Sequence, residues 1–94
     1  MTLIGTDKID EFVKRQPRAL APFQAWKTEA AKAVWTKPLD IKKRYRSADF
    51  RPRNHVIFDI GGNKYRLFVQ VSYQLKIVRV VWVGTHAEYD REKF

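Results

Sequence analysis

The stretch HVIFDIGGNKYRLFVQVSY, residues 55–73, decides how this chain folds. In HVIFDI, Val56, Phe58 and Ile60 alternate onto one face. A period of two marks a strand with one buried face. Gly61-Gly62-Asn63 tolerates left-handed backbone and is a strong hairpin signal. Alternation then resumes, with Tyr65, Leu67, Val69, Val71 and Tyr73 on one face and Lys64, Arg66, Phe68, Gln70 and Ser72 on the other. After a short turn at Gln74-Leu75 comes a third strand, KIVRVVWV. Short connections join antiparallel neighbours, so these segments predict an antiparallel meander.

Before this stretch the period changes. Leu3-Ile4 predicts a short first strand ended by Gly5, with Thr6 as helix N-cap and Asp7 favourably placed in the first turn. Ile9, Phe12 and Val13 follow at i, i+3 and i+4, and Pro17 ends that helix. A second helix is expected from about Leu20 to Trp35, with Leu20, Phe23, Trp26, Ala30, Ala33 and Val34 as its apolar stripe. Pro22 is tolerated only in the first turn of such a helix. Two helices joined by a tight turn need a flat apolar surface to cover, which the sheet provides. The expected fold is therefore α+β, one domain over residues 1–94, with a small antiparallel sheet, two N-terminal helices on one face and a short C-terminal helix. Between the halves, in PLDIKKRYRSADFRPRN, Leu39, Ile41 and Tyr45 can anchor a single helical turn, and the rest reads as a basic, proline-interrupted connection.

Composition narrows the function. An apolar content of 45%, with three Trp, four Tyr and six Phe, argues for a packed core. The absence of cysteine removes disulfides, thiolate metal sites and cysteine nucleophiles, and fits a reducing cytoplasm. MTLIGTDKIDEF carries no long apolar run, so no signal peptide is expected. No segment approaches the roughly 20 apolar residues of a membrane span, so no membrane partner is expected.

The net charge is +9, which predicts a polyanionic partner. Residues 1–36 carry six basic and four acidic side chains, and residues 54–94 carry six and four again. Residues 37–53 carry seven basic side chains (Lys37, Lys42, Lys43, Arg44, Arg46, Arg51 and Arg53) against Asp40 and Asp49. Clustering of this kind favours a binding face.

Two constellations carry chemistry. Arg66 shares the outward face with Lys64 and Phe68, where a guanidinium can hold a phosphate bidentately or simply pair with Asp59 on a solvated sheet. GTHAEYD, residues 84–90, closes the last strand. Thr85 and Glu88 have capping-box spacing, which accounts for those two residues. It does not account for His86, Tyr89 and Asp90. Imidazole titrates near neutrality, and Tyr89 lies one helical turn from His86. Three metal ligands rarely converge from one short turn, so a metal site built on His86, Glu88 and Asp90 is not expected. Ser47 and Ser72 have no triad-like context. What remains suits metal-free cleavage of RNA. A base takes the ribose 2′-OH proton, cations stabilise the phosphorane, and an acid protonates the leaving 5′-oxygen.

FDIGGNKYRLFVQVSYQLKIVRVVWVGTHAEYD resembles the C-terminal half of the HigB toxin family, a RelE/ParE-like branch of type II toxin–antitoxin systems. Phe23, Trp26, Trp35 and DIKKRYRSADF extend the resemblance through the N-terminal half. The resemblance implies a ribosome-dependent mRNA endonuclease without a cofactor, acting in the cytoplasm. It implies neutralisation by a helix-turn-helix antitoxin of the HigA kind, with operator DNA met only through that complex. Carried over residue by residue, it makes Arg66 the stabiliser of transition-state charge, His86 the proton-transfer group, and Tyr89 a positioning group or base. Glu88 and Asp90 would orient His86 or cap its turn. Lys42, Lys43, Arg44, Arg46, Arg51, Arg53 and Lys64 would hold the phosphate backbone. Ala87 stands where many RelE-like nucleases have an arginine. A non-catalytic RNA-binding module and a ParE-like gyrase inhibitor are the alternatives on the same fold.

Overall fold

The computed structural model describes residues 1–92. The elements are β1 (Thr2–Ile4), α1 (Asp7–Arg15), α2 (Leu20–Lys32), α3 (Pro38–Arg44), β2 (Asp49–Arg51), β3 (His55–Ile60), β4 (Tyr65–Ser72), β5 (Ile77–Thr85) and α4 (His86–Arg91), with a 3₁₀ turn at Pro17–Ala19 before α2. The strands form one sheet in the order β1-β5-β4-β3-β2. The predicted meander is present as β3-β4-β5, with Ile60 opposite Tyr65 across the glycine hairpin. Gly61 and Gly62 both take positive φ there, at 64° and 72°.

Alternation places the core as the sequence requires. Val56, Phe58, Ile60, Tyr65, Leu67, Val69, Val71, Val78 and Val80 join Ile9, Phe12, Phe23, Trp26 and Ala30 of the helices in one apolar cluster. Each large apolar side chain buried in this way contributes about 1.5–3 kcal/mol. The aromatic rings meet edge-on, as Trp26 does against Phe58 at 5.5 Å and Phe12 against Tyr65 at 5.7 Å.

Four expectations are corrected. First, β1 runs parallel to β5, so the sheet is antiparallel except at that edge. Second, α2 ends at Lys32, not Trp35. The amino group of Met1 donates to the carbonyls of Ala30, Ala31 and Ala33, so a cation sits at the helix C-terminus and satisfies its orphan acceptors. Val34, beyond that end, is exposed, and so is Leu20, because Ala19 turns into the core in its place. Third, the basic connection is structured. Pro38 opens a seven-residue helix, and Asp40 accepts from the backbone and hydroxyl of Thr36 at 2.8 and 2.7 Å. Ile41 is fully buried, whereas Leu39 is exposed, and Asp49–Arg51 adds an edge strand to β3. Fourth, Thr6 occupies the N-cap of α1 with helical backbone angles and no side-chain cap bond; its carbonyl accepts from Ile9 and Asp10.

One irregularity shapes the outer face. Phe68 pairs with Trp82 but Val69 pairs with Val80, so Val81 is an extra residue in β5. A bulge of this kind reverses the alternation beyond it. Val78 and Val80 face the core, yet Trp82 stands outward with Phe68, and Val83 packs inward. The Trp82 indole lies over Gly84, where an added Cβ would come within 2.3 Å of the ring. Only glycine admits that approach.

Candidate active site

The bulge and hairpin bring three strands side by side at one end of the outer face. Asp59, Arg66 and Gly84 are direct cross-strand partners on β3, β4 and β5. Arg66 is the single charged residue among the buried ones described, at 8% exposed. A guanidinium so placed requires acceptors for its N–H groups. Nε meets the Asp59 carboxylate at 3.1 Å. Nη1 donates to the carbonyls of Tyr65 at 3.1 Å and Asn63 at 3.4 Å. Nη2 donates to Asn63 Oδ1 at 2.7 Å and meets His86 Nδ1 at 2.9 Å. Each of the guanidinium's donors is thus directed at a protein acceptor.

This arrangement has a consequence for His86. Arginine can only donate, so Nδ1 of the imidazole accepts, and the proton of the neutral ring sits on Nε2. Nε2 lies 3.6 Å from Asp90 Oδ2. The helix carrying the ring is fixed by the predicted capping box. Glu88 N–H donates to Thr85 Oγ1 at 3.1 Å, and Thr85 N–H donates to Glu88 Oε1 at 2.8 Å. The backbone N–H of His86 donates to the Lys64 carbonyl at 2.9 Å, tying α4 to the hairpin. Arg15 of α1 reaches Glu88 at 3.2 Å. The Thr85 backbone N–H, with smaller help from Arg15, holds the Glu88 carboxyl below its ordinary range.

Tyr89 completes the group. Its ring lies 5.8 Å from the Arg66 guanidinium and 6.3 Å from the Trp82 ring. Arg51 on β2 donates to the phenol oxygen at 3.2 Å. The Asp49 carboxylate, with Tyr89, favours the charged form of Arg51. His86 is about half exposed at its side chain, so the imidazole faces solvent while Arg66 stands behind it. A solvent-facing N–H, a phenol and an accessible guanidinium beside one another can exchange protons with a bound phosphodiester and hold its charge.

The family model of HigB toxins, described as the RelE-like toxic component of a toxin–antitoxin system, matches residues 19–92. The chain belongs to this family. Three curated relatives are each 28% identical over 92 residues, covering 96% of this chain and 88% of the relative. They are the mRNA interferase toxin HigB of Escherichia coli K12 and the mRNA interferases HigB of Escherichia coli O157:H7 and Shigella flexneri. The match runs from α2 through α4, so Arg51, Arg66, His86, Tyr89 and Asp90 of this toxin lie within the family region.

The expected site residues divide in two. Arg66, His86, Tyr89, Asp90 and Arg51 come together. Lys42 instead donates to the Ala48 carbonyl at 3.0 Å, bracing the turn after α3. Arg44 forms a two-armed pair with Glu29 at 2.7 and 2.8 Å. Lys43 and Arg46 stand exposed on the α3 side, while Arg53 lines a groove beside His55 and Phe68. Lys64 enters the site through its carbonyl, and its exposed side chain lies on the hairpin. Asn63 and Asp59 were not anticipated as site residues. Asn63 was legible only as a turn former; Asp59 was visible as a pairing partner for Arg66. Among the described residues, no three His, Asp or Glu side chains cluster as metal ligands would, and no helix is long and apolar enough to cross a membrane.

Proposed function

We propose that this toxin cleaves mRNA on the ribosome by metal-independent acid–base chemistry. The observation that carries the reading is the Arg66–His86 contact at 2.9 Å, which fixes the tautomer of an exposed imidazole beside Tyr89 and Arg51. His86 is the proton-transfer group. Taking a proton from solvent on Nδ1, which displaces the Arg66 contact, makes the imidazolium whose Nε2–H passes to the leaving 5′-oxygen and returns the ring to its neutral form. Arg66 acts as a positioning residue whose buried charge adds to the field at the phosphate, its donors being occupied. Arg51 is the cation that meets the phosphate directly. Tyr89, in contact with both guanidinium groups, orients the 2′-OH or, once its own proton has passed to solvent, receives that proton as the phenolate. Asp90 orients the Nε2 side of the ring. Lys43, Arg46, Arg53 and Lys64 supply the outlying positive surface, with Lys42 and Arg44 adding charge from within their internal bonds. The names of the curated relatives support an mRNA substrate. The reading includes action in the cytoplasm and neutralisation by a helix-turn-helix antitoxin.

Mapping of mRNA 5′ ends shortly after induction tests this reading. Wild-type toxin is expected to create new ends within translated frames, and His86→Ala to create none while retaining its thermal transition. Cleavage of ribosome-bound mRNA should persist when Mg²⁺ is lowered to the least that keeps ribosomes intact and the balance is made up with the exchange-inert cobalt(III) hexammine ion, judged against a metal-dependent nuclease control. Intact transcripts with altered plasmid topoisomers would point to a gyrase inhibitor instead.

A further inference from the structure

A second histidine lies beside the site on the same outer face. His55 of β3 stacks on Phe68 of β4, with ring centroids 4.9 Å apart and planes 4° from parallel. Its Nδ1–H donates to the Pro52 carbonyl at 2.9 Å, which fixes both the tautomer and the plane of the ring. The turn that supplies this carbonyl is itself held, because Gln70 Nε2 donates to the Arg53 carbonyl at 3.1 Å and Arg79 donates to Gln70 Oε1 at 2.7 Å. The half-exposed His55 ring lines a groove of about 490 Å³ with Arg51, Pro52, Arg53 and Phe68. Arg51 is the direct cross-strand partner of His55 and also donates to the Tyr89 phenol. One guanidinium therefore belongs both to this groove and to the candidate active site.

A flat, pre-oriented aromatic face flanked by two arginines matches one ligand chemistry well. Unpaired nucleobases stack on aromatic rings while cations hold the phosphates on either side. A solvated sheet face needs no imidazole pinned parallel to a phenyl ring. We propose that His55, backed by Phe68, is a stacking platform for a nucleobase of single-stranded RNA next to the scissile phosphate, with Arg51 and Arg53 holding its flanking phosphates. The proposal rests on the RNA-cleavage reading for the position of the scissile bond, but the binding it asserts does not require cleavage. His55 is a binding residue here and carries no proton in the reaction.

The test uses the full-length toxin and a short single-stranded RNA bearing 2-aminopurine and ribose 2′-O-methyl groups, so that stacking is read as quenching without cleavage. His55→Ala is expected to weaken binding about 10-fold and to abolish quenching at one position. His55→Phe, which keeps the aromatic face, is expected to restore both. In cleavage of translated mRNA, His55→Ala should raise KM and leave kcat nearly unchanged. Equal binding and quenching by all three proteins would overturn the platform. So would a His55→Phe variant as inactive as His86→Ala, since that would make the imidazole a proton carrier. A wild-type protein that quenches the probe yet leaves translated mRNA whole would refute the nuclease reading and leave the platform standing.

Discussion

The two faces of β4 are built on opposite principles. Its inner face, Tyr65, Leu67, Val69 and Val71, is buried because those side chains are apolar and the helices cover them. Its outer face also buries residues, Arg66 and Phe68, each 8% exposed. Phe68 is covered in part by the His55 ring, and Arg66 by the acceptors that surround its guanidinium. The inner face gains from removing area from water, which is non-directional and tolerates repacking. The outer face depends on directed hydrogen bonds, where losing one partner strands another. Burial alone therefore does not separate scaffold from site in this protein; the kind of interaction does.

Substitutions on each face should separate these contributions. His86→Ala should reduce cleavage about 10²–10⁴-fold while lowering the unfolding midpoint only slightly, because the half-exposed acceptor it removes from Arg66 can be replaced by water. Equal losses of activity and stability would mean that the two faces are not independent. Leu67→Ala on the inner face should do the reverse, costing about 2–5 kcal/mol in denaturant titration with little change in kcat for the protein that stays folded. Asp59→Ala lies between the two, since it leaves the buried guanidinium short of its carboxylate. It should cost about 1–3 kcal/mol and also lower activity through misplacement of His86, as read by a joint measurement of melting and cleavage. Gly84→Ala probes the bulge. Its Cβ must displace the Trp82 indole, at a cost of about 1–3 kcal/mol with a changed tryptophan emission spectrum.

The smallest effect concerns Glu88. Its carboxyl titrates lower in the folded protein than in the unfolded chain, where it is near 4.3. Stability from this group is therefore fully present above that value and is lost as pH falls through the folded one. Glu88→Gln should remove this part of the acid sensitivity and loosen α4, seen as a flatter melting temperature below pH 5 and faster amide exchange at residues 86–91. An unchanged acid profile would remove Glu88 from the account of how His86 is held.

Much of the scaffold was readable along the chain. The period of two in β3 and β4, the glycine hairpin, the stripe of Ile9 and Phe12, and the Thr85–Glu88 cap are local patterns, and local patterns survive folding. The segment of residues 37–53 was less legible. Its charge masked a helix and an edge strand whose formation depends on burying Ile41 and on pairing with β3. Charge clustering also said nothing about destination. Arg44 is engaged by Glu29 on α2, while Arg51, seven residues on, reaches Tyr89.

By itself the sequence determined which residues of α1, β3 and β4 would face the core, where the hairpin would turn and which side chains could carry protons, because alternation and capping act over a few residues. The tertiary structure alone decided that Val81 would bulge and turn Trp82 outward, that the Met1 amino group would meet the C-terminal carbonyls of α2, and that Arg66 would direct one of its donors at His86. Those outcomes depend on partners distant in sequence. A hydrogen bond between residues 66 and 86 exists only once two strands and a capped helix have brought its ends within 2.9 Å.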